Sequence, residues 1–101
     1  MRPLFQVSTK NPKEIASVKK AMEELESTCK VKNGYEIGEP MSKFGWIFFN
    51  IKLSSEIVPI IEKSGMLEGV YGHKISDQLK NFLGHWFEKR GIQFEIKMIN
   101  Y

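Results

Sequence analysis

An α+β fold in the order β-α-β-β-α-α-β, with the helices packed on one face of a mixed or antiparallel sheet, is predicted by three observations. Residues 43–53 hold four aromatic and two β-branched side chains, Phe44, Trp46, Ile47, Phe48, Phe49 and Ile51. Two other stretches repeat apolar residues every three or four positions. The stretch Ile92 to Met98 alternates strictly between apolar and polar. A sheet with one buried face and amphipathic helices satisfy each other when they share one core. A chain of 101 residues, 42% of them apolar, is long enough to close one such core as a single domain over 1–101.

Leu4-Phe5-Gln6-Val7-Ser8 reads as the first strand, stopped by Asn11-Pro12. There the first helix begins. Asn11 suits the N-cap, Pro12 the first helical position, and Glu14 the third position, from which it can close a capping box. Ile15, Val18, Met22, Leu25 and Cys29 form the core stripe, while Lys19, Lys20, Glu23, Glu24 and Glu26 face water. Asn33-Gly34 ends this helix, and Tyr35 to Gly38 forms a short strand before Glu39-Pro40 turns the chain.

Lys43 to Leu53 is the strongest strand. Its alternation puts Phe44, Trp46 and Phe48 on one face and Ile47, Phe49, Ile51 and Leu53 on the other. Such a strand is covered on both sides or presents an aromatic platform to a partner. Ser54-Ser55-Glu56 starts a short second helix that tolerates Pro59 in its first turn, and Ser64-Gly65 stops it. Ser76 is read as the cap of a third helix with the stripe Leu79, Phe82, Leu83, Trp86 and Phe87, closed by Lys89-Arg90-Gly91.

Charge and composition exclude several classes. Fifteen basic against twelve acidic side chains leave +3, spread over both halves with no basic tail. Lys10, Lys13, Lys19 and Lys20 gather around the first helix start, either as a solvated face or to meet a polyanion. The single cysteine, Cys29, cannot form an internal disulfide, and the opening residues carry no apolar run of leader length, so a cytoplasmic location is expected. No apolar stretch approaches the roughly twenty residues needed to cross a bilayer.

His73 and His85 are the only histidines, and no H-x-x-x-H, C-x-x-C, G-x-S-x-G or Walker-type spacing accompanies them. No catalytic set, metal site or cofactor is therefore expected, and the chain is read as a non-enzyme.

Gly69-Val70-Tyr71-Gly72 is the motif with most chemical content, because a turn with two glycines can bring backbone N–H groups close to a phosphate. From the first helix onward, the order α-β-β-α-α-β resembles the type II KH domain, with this G-x-x-G between its two helices and Ile75 as the aliphatic residue that follows. The resemblance implies a loop backbone gripping a single-stranded sugar-phosphate chain, with His73, Lys74 and Lys80 beside it.

A second likeness points the same way. Phe44-Gly45-Trp46-Ile47-Phe48-Phe49 looks like part of the RNP1 motif of RNA-recognition motifs, and implies that Phe44 and Trp46 stack on bases while Ile47 and Phe49 face the core. The expected function is thus a small module binding single-stranded RNA or DNA. The alternative is a protein-interaction or regulatory module, including a homodimer, that uses the aromatic strand 43–53.

Overall fold

The computed structural model describes residues 2–101; Met1 lies outside them. Eight elements follow in order: β1 (Leu4–Thr9), α1 (Lys13–Cys29), β2 (Tyr35–Ile37), β3 (Met41–Lys43), β4 (Trp46–Leu53), α2 (Ile57–Lys63), α3 (Ile75–Glu88) and β5 (Glu95–Asn100). The sheet is antiparallel throughout, in the order β2-β4-β1-β5, with β3 also pairing β4. Strands β1 and β2 therefore run parallel with β4 between them, and β4 and β5 run parallel with β1 between them. That is the double split βαβ arrangement of ferredoxin-like folds, with α2 added before the second crossover helix.

Alternation fixes which face is covered. Phe5 and Val7 of β1 and Phe49, Ile51 and Leu53 of β4 are buried, and they meet Val18, Met22 and Leu25 of α1, Ile57 and Ile61 of α2, and Leu79, Leu83 and Phe87 of α3. All three helices thus share one core with one sheet face. Further ties cross that core. The Trp86 indole N–H donates to the Ala21 carbonyl at 2.8 Å, and the Arg90 Nε donates to a Glu24 carboxylate oxygen at 2.7 Å. No helix among the described residues is long and apolar enough to cross a membrane.

Several boundaries differ from the sequence reading. The strand read as Lys43 to Leu53 is the second arm of a hairpin. Met41–Lys43 is a strand of its own, Lys43 pairs with Trp46, and Phe44 and Gly45 form the two-residue loop with φ of +54° and +80°. Positive φ at both loop residues is the I′ geometry that matches sheet twist. Phe44 is therefore not on the face of Trp46 and Phe48, since it is not in a strand.

Helix α1 stops at Cys29, before Asn33-Gly34, because Lys30 takes the left-handed conformation and its N–H caps the Ser27 carbonyl. At its start Asn11 does accept from the Lys13 N–H at 3.0 Å. Glu14, however, accepts from the Gln93 N–H instead of closing a capping box. Ser54 serves α2 as read, its hydroxyl accepting from the Ile57 N–H at 3.3 Å. Ser76 does not cap α3: Lys74 holds the cap position in extended conformation, and Ser76 lies inside the first turn. The last strand begins at Glu95, not Ile92, because Ile92 and Gln93 are held by other partners. The Ile92 N–H bonds the Phe87 carbonyl, and the Gln93 carbonyl accepts from the Thr9 hydroxyl.

Candidate functional site

Two regions carry the residues singled out from the sequence, and the fold sets them at opposite ends of α3. The connection 64–74 precedes α3. Trp46 and the Phe44–Gly45 loop belong to the sheet end where β1 finishes and the chain enters β5, since Thr9, Lys10, Trp46, Gln93 and Glu95 line one cleft there of about 280 Å³. Fourteen helical residues, roughly 20 Å at 1.5 Å per residue, separate the two. The glycine motif and the aromatic pair are not brought together.

The connection 64–74 is a strap folded onto α3, not a tight turn between helices. Leu67 is buried, and Met66 and Val70 pack against the core. The Gln78 amide donates to the Val70 carbonyl at 3.3 Å and the Asn81 amide to the Tyr71 carbonyl at 2.7 Å. Gly72 has φ +155°, and a Cβ there would lie 2.7 Å from the Gln78 backbone nitrogen. Its glycine is required by packing against the helix start. Gly69, at φ +76°, faces open space. Tyr71 is 76% exposed and meets His73 edge-on at 6.0 Å between ring centroids. His73 and Lys74 are exposed, and Lys80 is half-buried one turn into α3.

The opposite face of the sheet has no helix over it. Parity of the ladder places Gln6 and Ser8 of β1, Trp46, Phe48, Asn50 and Lys52 of β4, Glu95 and Lys97 of β5, Met41 and Lys43 of β3, and Glu36 of β2 on that face. Phe48 stands near its middle, with Met41 directly opposite on one side and Ser8 on the other. Met41 is 68% exposed, and Phe44, at the adjoining hairpin tip, is 91% exposed. The Lys10 ammonium lies 4.9 Å from the Trp46 ring centroid and that of Lys43 lies 5.7 Å from the Phe44 ring. Lys43, Lys52 and Lys97, with Lys10 at the rim, outnumber Glu36 and Glu95, so the face is mildly cationic.

Met41, Lys52 and Lys97 are not among the residues the sequence brings forward, whereas Lys10 stands there in the lysine group around the first helix start and Phe48 beside Phe44 and Trp46 on the aromatic face. Phe48 was assigned to the right face, but its central place needed the pairing of β4 with β1, which no local pattern encodes. Strand β4 has a neighbour on both sides, so an interface through its edge is ruled out and only its open face can meet a partner.

Titration adds little to the site. Burial pushes the Cys29 thiol up, consistent with a small core hydrophobe. Burial, then the Glu26 and Glu23 carboxylates, raise the Tyr35 hydroxyl. Burial and Glu62 raise that of Tyr101. Among the described residues no group of three or more His, Cys, Asp or Glu side chains could hold a metal ion. Comparison with family models, with curated proteins and with solved structures finds no match to this chain.

Proposed function

We propose that this chain is a non-enzymatic module that binds single-stranded nucleic acid across the open face of its sheet. One observation carries the reading: an uncovered antiparallel sheet presents Phe48 near its centre, flanked by Met41, Trp46 and the exposed Phe44, with lysines interleaved. Bases are sequence-tolerant stacking partners for aromatic rings, and ammonium groups between the rings meet the phosphates that link those bases.

In this reading Trp46 and Phe48 receive successive bases, and Phe44 extends the platform past the hairpin tip. The Lys10 and Lys43 ammonium groups, now resting over Trp46 and Phe44, swing outward to phosphates when bases take the rings. Lys52 and Lys97 serve the backbone farther along the face. The reading rests on the sheet and not on Gly69 to Gly72, because the Val70 N–H of that segment is taken by the Leu67 carbonyl and Gly72 is packed against α3.

The test is fluorescence anisotropy with mixed-sequence single-stranded RNA and DNA at low ionic strength. Affinity is expected to fall with salt at a log–log slope of about −3, from four lysine contacts at about −0.7 each for single strands. Absence of association at low salt, or affinity indifferent to salt, defeats the proposal.

A further inference from the structure

The two sheet edges are not equivalent. On one side β2 and β3 lie end to end along β4, broken by Gly38-Glu39-Pro40. A break with a proline, which has no N–H to give, protects an edge from pairing with another chain. The other edge is β5, six residues without glycine or proline, bonded to β1 on one side only. Ile99 is 46% exposed on it.

Edge strands are usually guarded by charge, and like charges along β5 would repel a second copy. The charges here are an acid and a base two positions apart on one face, Glu95 and Lys97. Neither is in an ion pair: the ion pair found among the described residues joins Arg90 to Glu24. Two such groups repel nothing when a strand meets its own antiparallel copy. They complement each other.

We infer that β5 pairs with β5 of a second copy of this chain, antiparallel about a two-fold axis at Ile96, so that Glu95 of each copy faces Lys97 of the other. Facing residues in an antiparallel pair project to the same side, so the two helical layers stay on one side only when residue numbers in each pair sum to an even value. Centring on Lys97 opposes two lysines, and centring on Glu95 opposes two carboxylates. Centring on Met98 runs the pairing across the irregularity in the β1–β5 register near the strand end. Centring on Ile96 forms both charge pairs on the open face and, on the helical side, sets Ile96 against Ile96 and half-buried Phe94 against Met98. The interface is isologous, as a two-fold dimer requires. It joins two five-stranded sheets into one of ten and makes their open faces continuous. It does not depend on what those faces bind.

Sedimentation equilibrium on the wild-type chain tests this. A reversible dimer is expected below about 1 mM, the range of small, transient interfaces. E95K and K97E are each expected to weaken the dimer about tenfold or more, because each places like charges opposite one another twice. An equimolar mixture of E95K and K97E is expected to recover dimer, since every facing pair is then again opposite in sign, and so is the double variant carrying both changes. All three exposed-site variants should keep the wild-type circular dichroism spectrum. A wild-type monomer at all concentrations, a dimer indifferent to either single change, or a mixture that stays monomeric overturns the inference.

Discussion

Phe44→Asn separates folding from binding in opposite directions. Phe44 occupies the first position of a two-residue I′ loop at φ +54°, where a bulky side chain is disfavoured and Asn followed by Gly is preferred. The left-handed conformation costs an ordinary L-residue about 1–2 kcal/mol, and Asn recovers part of that through local hydrogen bonding. The ring is 91% exposed, so its loss removes almost no buried area. The variant should therefore be more stable by about 0.5–1 kcal/mol, a rise in Tm of about 2–8 °C for a domain of this size. Thermal unfolding by circular dichroism reads this directly. If Phe44 is kept at a strained position because it stacks on a base, the same change should weaken single-strand binding by about 1–3 kcal/mol, or roughly 5- to 150-fold. A variant that is destabilised refutes the loop assignment. One that is stabilised yet binds as before refutes the role given to Phe44.

Neighbouring residues of β4 supply a second contrast: Phe49→Ala, on the covered face and 2% exposed, should cost about 3–5 kcal/mol of stability in urea titration. Phe48→Ala should cost much less and lower affinity for single strands by about 1–3 kcal/mol instead. In the strap, Gly72→Ala should destabilise by about 1–3 kcal/mol, since its Cβ meets the Gln78 nitrogen at 2.7 Å. Gly69→Ala should cost only the positive-φ penalty of about 1 kcal/mol, and neither should alter the salt slope of binding if the sheet is the site. Stability should decline at high pH. The raised Cys29 thiol and Tyr35 and Tyr101 hydroxyls ionise more readily unfolded than folded, so their contribution is complete below the unfolded values of about 8.5 and 10 and is lost as pH climbs through the folded ones. Urea midpoints measured from pH 7 to 11 check the sign, and Cys29→Ala should remove the earliest part of the decline.

Periodicity made the helices and the last strand legible. The Val18-Met22-Leu25-Cys29 and Leu79-Phe82-Leu83-Phe87 stripes are both buried where 3.6-residue spacing put them. What local pattern could not resolve was where backbone groups find partners outside their own element. Helix α3 starts at Ile75 and not after Ser76 because Gln78 and Asn81 reach back to carbonyls of the strap. Strand β5 starts late because Thr9 and Glu14 take the groups of Gln93. The hairpin hidden in Lys43-Phe44-Gly45-Trp46 was missed for a different reason. A Phe in the loop looks like one more strand residue, and only Gly45 hinted at a turn.

The same limit governs the site. Gly69-Val70-Tyr71-Gly72 stands out in a linear reading because two glycines suggest bare backbone, yet the fold gives them different duties: Gly69 turns the chain in open space and Gly72 lets it lie against α3. Phe48 is inconspicuous in sequence, one aromatic among several, and gains its meaning from three long-range pairings that set Met41, Phe48, Ser8 and Glu95 in one row across the open face. Burial sharpens the distinction. Phe49 and Phe48 differ by one position and point to opposite sides of a sheet that has helices on only one of them, so the first is held by the core and the second has no structural need to be aromatic. A partly exposed ring near the middle of an uncovered sheet costs solubility and adds little stability, and the adjoining Phe44 adds backbone strain as well. Two such costs on one hairpin, beside lysines resting on the rings, are the physical grounds for placing function on the sheet.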